Sequence, residues 1–444
     1  MSSRAYANGT TAASSYTCTG IRYNQTCTYF DLVAFESLFY FVSPEESASL
    51  SLPVTYLHNR MIDFPSGRTV HSAFHPIVTN RAPRIDGVWT TPVILSAGAH
   101  FNYGHNTLDV LFGAYVALKR MAEKGAVPDP DNSSFLFVEY DDLIPMQMKH
   151  LMSEPYRDVH DTFGNAIVTL DDLKRATSGR AILVRSLTVG YGRVGLCAVD
   201  ELNKVPGREY LRAFQQKMMK VYHITPTSNP TEVAFVRSKR QSTKTVENLQ
   251  HLAKKHGAYL IAWEMLSLRD KVNITSRLRV LVQMVGTAQR NTFLVPAWSS
   301  AILIGRINMN ARLYTSYYDS HLIGSLNDIH VYYYPSFSLD ELLHGGRTVR
   351  LDERKFGILF SKAWKTAYTR PVKGDNSNKF DHAFTYMNKV TNGAVLNARS
   401  GIPGSIWPLS CFVNAVDEML WGPTQHQCPW SRRLTNHTIH RFNL

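Results

Sequence analysis

The chain has 444 residues, 44% of them hydrophobic and 19% charged. That length exceeds one ordinary domain and that balance excludes a disordered chain, so two lobes of ~150–200 residues with appendages are expected. Forty-eight Lys and Arg against 35 Asp and Glu give a net charge of +13, which attracts polyanions or phosphate-bearing ligands. The charge is dispersed rather than gathered into a basic tract, so no nucleic-acid partner is expected.

Residues 1–17 are rich in Ser, Thr and Ala and read as a flexible lead. They contain no apolar run of signal-peptide length. No window approaches ~20 consecutive apolar residues, so no transmembrane segment is visible in the sequence. Residues 18–91 form a β-rich segment: "CTYFDLVAFESLFYFV" reads as one or two strands, followed by turn signals such as "FPSGR" and "NRAPRIDG".

From residue 92 the rhythm changes. "PVILSAG" reads as a short buried strand, and "HFNYGHNTLDVLFGAYVALKRMAEKG" as a helix with Leu108, Leu111, Phe112, Tyr115 and Leu118 on one stripe, closed by Gly125. "SSFLFVEY" reads as a strand, "IPMQMKHLM" as a helix, and "AIVTLDDLKRA" and "RAILVRSLTVGY" continue the alternation as far as residue 219. A second cycle begins at 220: strand "PTEVAFVRSK", helix "TVENLQHLAKKHG", strand "AYLIAWE", helix "SLRDKVNITSRLR", strand "VLVQMVG", a turn or loop at "NTFLVP", and strands "SAILIGRI" and "IHVYYYP". Alternating strand and helix predicts parallel sheets. Two such cycles, 92–219 and 220–368, predict an α/β protein with two Rossmann-like lobes facing each other across a cleft. Residues 369–444 lose the rhythm and form an extension to which the sequence assigns no role.

The five cysteines have neither zinc spacing nor a CxxC motif. Cys18 with Cys27 and Cys411 with Cys428 are local pairs able to form disulfides, leaving Cys197 over. Five N-x-[ST] sequons occur, at Asn8, Asn24, Asn132, Asn273 and Asn436. Cysteines and sequons together tilt toward a secretory compartment, whereas the absence of a visible leader tilts toward the cytoplasm.

Three places carry residue types suited to chemistry. His105 and Asp109 stand one helical turn apart on one face, with Asp109 in the first turn. A carboxylate there can take a proton from an attacking hydroxyl with His105 orienting it, or it can serve only to stabilise the helix start. Arg237 and Arg240, with Lys239 between them, follow a strand in "VRSKRQSTK". Guanidinium forks match phosphate oxygens; a solvated basic loop is the other reading. In "VLVQMVGTAQRNTFLVP" an apolar strand runs into Gly286 and then a helical start, where backbone amides can cradle a phosphate and Asn291 can bond a ribose or phosphate. Neither GxGxxG nor a Walker loop occurs, which disfavours hydride transfer and nucleoside triphosphate hydrolysis. No HExxH, GxSxG or metal-clamping acid pair stands in a convincing loop, so neither a metal nor a cofactor is expected.

These motifs occur in an order that resembles glycosyltransferase family 61, which includes secretory-pathway O-linked N-acetylglucosamine transferases and plant xylosyl- and arabinosyltransferases. The resemblance rests on His105 to Asp109 in "NYGHNTLD", Arg237 and Arg240 in "FVRSKRQSTKTVEN", Glu264 and Ser267 in "WEMLSLRDKV", and Gly286, Thr287, Asn291, Phe293 and Pro296 in "VGTAQRNTFLVP". "CTGIRYNQTC" resembles the family's N-terminal cysteine pair and "TVRLDERKFGILFSKAW" its last strand and helix, so the likeness spans residues 18–368. The family usually has a His before its Gly-Ala-Gly turn; here Val285 precedes Gly-Thr-Ala.

The resemblance implies a GT-B fold and an inverting, metal-independent transfer from a nucleotide sugar, a UDP-sugar carrying GlcNAc or a pentose, to a hydroxyl of a glycan or glycoprotein. It implies that Arg237 and Arg240 hold the diphosphate, with Gly286, Thr287 and Asn291 beneath it and Glu264 on the donor side. Asp109, alone or through His105, would be the base. It also implies a Golgi or endoplasmic-reticulum lumen. The alternatives are an inactive nucleotide-sugar-binding protein, suggested by Val285, and a basic polyanion-binding protein, suggested by the net charge.

Overall fold

A computed structural model describes residues 13–20, 25–44, 50–56, 61–62, 69–70, 73–96, 111–139, 166–168, 170–190, 207–237, 241–284, 292–306, 328–336 and 351–369. The chain forms two compact units, residues 1–223 and 224–444.

The first unit is built on a nine-stranded mixed sheet. It opens with β1 (Ser15–Thr19), β2 (Thr26–Phe35) and β3 (Leu38–Val42). Two short ribbons follow, β4 (Thr55–Tyr56) paired with β7 (Ala73–Phe74) and, nested between them in sequence, β5 (Met61–Ile62) paired with β6 (Thr69–Val70). Then come β8 (Ile77–Thr79), β9 (Ile85–Trp89) and β10 (Val93–Ser96). The remainder is α1 (Phe112–Glu123), β11 (Leu136–Glu139), β12 (Ala166–Val168), α2 (Leu170–Thr177), β13 (Ala181–Val189) and α3 (Gly207–Val221).

The sheet order is β12-β11-β10-β13-β2-β3-β8, with β1 also on β2 and β9 also on β13. The strands β12, β11, β10 and β13 run parallel, as alternation with helices requires. The β1–β2–β3 meander joins this parallel half antiparallel to β13. The strands within residues 92–219 are thus parallel as expected, and the β-rich segment expected before them joins the same sheet. Within that segment Phe35 and Leu38 face each other across a two-residue hairpin in which Glu36 (φ 48°) and Ser37 (φ 60°) are both left-handed, the geometry of a tight turn that demands antiparallel strands. Neither residue is typical there. The turn is held by the end of α2, where Thr177 O accepts from Glu36 N (3.0 Å), Thr177 Oγ1 accepts from Ser37 N (2.8 Å), and Glu36 Oε1 accepts from Gly179 N (2.6 Å).

β2 also changes partner along one edge. Residues 26–30 pair with β1 and residues 33–35 with β3. Between them Asp31 takes φ 53°, a conformation Asp tolerates better than most residues. Its carboxylate accepts from Arg185 Nη1 at 2.6 Å, and its carbonyl accepts from Ser14 Oγ at 2.8 Å. Cys18 and Cys27 face each other across β1 and β2 and form a disulfide. Helix α1 is buried on nearly every side, from Phe112 through Leu118, because it lies between the sheet and α3. The rings of Phe112 and Tyr115 meet Phe214 of α3 at 5.6 and 5.4 Å. Helix α3 has no counterpart among the elements expected from the sequence.

The second unit is a five-stranded, wholly parallel sheet. Its elements are β14 (Glu232–Arg237), α4 (Thr243–Lys255), β15 (Tyr259–Ala262), a 3₁₀ turn at Trp263–Met265, α5 (Leu268–Thr275), β16 (Leu278–Met284), β17 (Ser300–Arg306), β18 (His330–Ser336) and α6 (Glu353–Thr366). In "LRVLVQM" every residue but Arg279 and Met284 is buried, so both faces of the strand are covered, as in a parallel sheet flanked by helices. Phe235, Val280, Val282, Ile302 and Ile304 pack with Leu249 and Leu252 of α4 and Phe356 and Phe360 of α6. Each helix has a sequence-encoded start: Ser242, Ser267 and Asp352 accept hydrogen bonds from the amides of Thr245, Asp270 and Lys355. Gly257, at φ 61°, ends α4. An α/β architecture with parallel strands is thus present in both units. Among the described residues no helix is long and apolar enough to cross a membrane.

Candidate functional site

The order in the second unit is β15-β14-β16-β17-β18. The chain leaves β14, builds β15 on one side, then returns to build β16 on the other. The carboxyl ends of β14 and β16 therefore flank the place where doubly wound sheets bind ligands.

Arg237 is the last residue of β14, half-buried and paired in register with Ala262 at the end of β15. Four residues later Gln241 Nε2 donates to Met284 Sδ, 2.7 Å away, which ties Gln241 to the last residue of β16. Ser242 then caps α4. The first turn of α4 contains no acid, so its positive end is not neutralised by its own side chains, and it starts at the same sheet edge as Arg237.

The turn after β16 is anchored at its base. Gln283 is buried, and its Nε2 donates to Thr292 Oγ1. Phe293, Leu294 and Val295 follow and are buried. Thus Phe293, one of the motif residues, is a core plug, and Gln283 and Thr292, on either side of residues 285–291, are buried and bonded to each other.

Glu264 lies one strand over. The sequence reading extended the strand through Glu264, but β15 ends at Ala262 and Glu264 sits exposed on the 3₁₀ turn. Ser267 is the cap of α5, with its hydroxyl 3.1 Å from Asp270 N and 2.7 Å from Asp270 Oδ2. A residue not singled out from sequence stands beside Glu264. Trp263 is buried, and its indole N–H has no hydrogen-bond partner among the described residues. An unpaired buried donor costs about 1–3 kcal/mol. The sequence signal was present as a Trp directly after a strand.

Arg237, Glu264 and Met284 therefore stand at the carboxyl ends of neighbouring strands of one sheet. Arg240, Gly286, Thr287 and Asn291 lie outside the described residues, as do His105, Asp109, Val285, Cys197, Cys411, Cys428, the expected helix at "IPMQMKHLM" and residues 370–444. Leu111, just before α1, has helical torsions (φ −72°, ψ −45°), so α1 does not begin with a side-chain cap at that residue. Among the described residues, no group of three or more His, Cys, Asp or Glu side chains is arranged to hold a metal ion.

A second polar cluster, in the first unit, was not foreseen from sequence. Tyr115 OH donates to Asp131 Oδ1 at 2.6 Å, and Lys119 Nζ bridges Asp129 (3.0 Å) and Asp131 (2.8 Å). The buried Lys217 donates to Pro130 O. Burial, then the bond to Asp131, pushes the Tyr115 hydroxyl far above the usual phenol range. Burial also pulls the Lys217 ammonium below the usual lysine range, against the attraction of Asp131. Burial opposes the charge on Lys119, but the bonds to Asp131 and Asp129 outweigh it and hold that ammonium above its ordinary value. Every described member bonds another member or a backbone group of the 129–132 turn. The arrangement fastens that turn to α1 and α3.

No protein-family model matches the chain, and no curated protein matches it.

Proposed function

We propose that the chain is an inverting glycosyltransferase of GT-B architecture, moving a sugar from a UDP-sugar to a hydroxyl of a glycan or glycoprotein in the secretory lumen. One observation carries the reading: β14 and β16 flank the switch point of a 2-1-3-4-5 parallel sheet. The two segments whose motifs resemble the family's donor-binding loops leave from their carboxyl ends. Arg237 and the α4 N-terminus, whose first turn holds no acid, supply positive potential at this edge. In the reaction Asp109, oriented by His105, takes the acceptor hydroxyl's proton. The acceptor oxygen attacks the anomeric carbon from the face opposite the leaving group, and the bond to the diphosphate oxygen breaks. Arg237, Arg240 and the amides around Gly286, Thr287 and Asn291 stabilise the departing nucleoside diphosphate, the work a metal ion does in other transferases. Glu264 contributes to donor binding.

The test is to incubate the full chain with mixed nucleotide sugars and detect free nucleoside diphosphate by mass spectrometry. Release that persists in EDTA, and that falls by about 10²–10³ in Arg237→Ala without a matching fall in melting temperature, supports the reading. Activity lost in EDTA, or unchanged kinetics in Arg237→Ala, ends it. Val285, where the family has a His, favours a second reading: nucleotide-sugar binding measured by calorimetry, without turnover, would make the chain an inactive relative on the same fold.

A further inference from the structure

Two of the five sequons, Asn132 and Asn273, lie among the described residues, and their surroundings differ. Asn132-Ser133-Ser134 lies outside any helix or strand. Asn132 N closes a turn onto Asp129 O at 3.1 Å, and both Asn132 and Ser134 are exposed. The cluster of Tyr115, Lys119 and Lys217 fixes residues 129–131 from beneath. The Asn132 side chain touches only the outer rim, where its Oδ1 accepts from Lys220 Nζ at 3.1 Å, and Lys220 is itself exposed. Asn273-Ile274-Thr275 lies inside α5. Asn273 is exposed, but Thr275 is fully buried, and its hydroxyl donates to Lys271 O (2.6 Å) and is within 3.1 Å of Val272 O. A sequon is used through two groups, the Asn amide and the hydroxyl two residues on, and the attached sugar needs open surface. Only the first sequon offers all three.

We propose that Asn132 is an N-glycosylation site and that Asn273 stays unmodified. The donor class is a lipid-diphosphate-linked oligosaccharide. Asn132 Nδ2 bonds to the anomeric carbon, the bond from that carbon to the diphosphate oxygen breaks, the lipid diphosphate leaves, and the amide gives up one proton. The site rests on the lumenal part of the preceding reading and not on its catalytic part. The Cys18–Cys27 disulfide supports that compartment, because such bonds persist in oxidising surroundings.

The full chain is expressed in eukaryotic cells in two forms, as it stands and behind an added cleavable secretion leader. Glycopeptides are mapped by mass spectrometry after enzymatic deglycosylation in heavy-oxygen water, which marks each formerly occupied Asn. The leader-directed chain is expected to carry the mark at Asn132 and not at Asn273, and to lose the Asn132 mark in both Asn132→Gln and Ser134→Ala. The second variant keeps Asn132 and its Lys220 contact intact, so a folding defect in the first does not decide the matter. An unmarked Asn132 in the leader-directed chain, or a mark at Asn273 in its place, overturns the proposal. A mark at Asn132 in the leader-directed chain supports the site whether or not that chain releases nucleoside diphosphate, so failure of the site and failure of the catalytic reading are told apart.

Discussion

Gly190 follows β13 at φ +86°, where a Cβ would stand 2.3 Å from Gln25 O and 2.5 Å from Thr55 Cγ2. Neither neighbour yields easily. Gln25 leads directly into β2, which pairs with β13 up to Val189 and Cys27. Thr55 is fully buried, with its hydroxyl 3.2 Å from Tyr29 OH. In Gly190→Ala the left-handed conformation costs about 1–2 kcal/mol, offset by about 0.4–1 kcal/mol because alanine restricts the unfolded chain. Forcing the strands or Thr55 aside adds about 1–3 kcal/mol. The sum is a loss of roughly 1–5 kcal/mol, centred near 3, or about 2–18 °C in melting temperature for a unit of this size. The control is Gly125→Ala, at φ +70° with nothing within 4 Å of its Cβ, which bears the conformational part alone, about 0.5–1 kcal/mol. Urea denaturation of both variants separates the steric part from the conformational part. Equal destabilisation of the two would refute the argument that the backbone of Gln25 leaves no room at Gly190.

Two further outcomes follow from single contacts. Removing the Cys18–Cys27 crosslink, by reduction or in a double Cys→Ser variant, releases a closed loop of sequence separation 9. The chain-entropy model gives a loss of about 2–3 kcal/mol, and an unchanged denaturation midpoint in the reduced protein would contradict it. His256, packed 4.0 Å from the Phe360 ring, is held below the usual histidine range by burial first and by Lys255 second, against the pull of Glu353. Because the folded value is depressed, the unfolded chain binds more protons between the two values. The stability from His256 is complete above its unfolded value of about 6.5 and falls as pH drops through the folded one. Melting curves from about pH 7.5 to about pH 5 are expected to fall more steeply for the natural chain than for His256→Leu; parallel curves would remove His256 as the cause.

Much of the second unit was legible from its residues because the signals are local. The apolar runs of β14, β16 and β17, and Gly257 at the end of α4, each act within a few residues of themselves. The candidate site was legible only as a set of motifs. That Arg237 and Met284 end neighbouring strands follows from β14 lying beside β16, and strand order is a long-range choice that periodicity does not encode. The same limit hid the pairing of β2 with β13, across about 150 residues of sequence. It also hid the turn at Glu36 and Ser37, whose own residues argue against it and whose support comes from Thr177 and Gly179. Local chemistry decided which segments became strands and helices; burial of their apolar faces against partners distant in sequence decided where each was set and which side chains became neighbours.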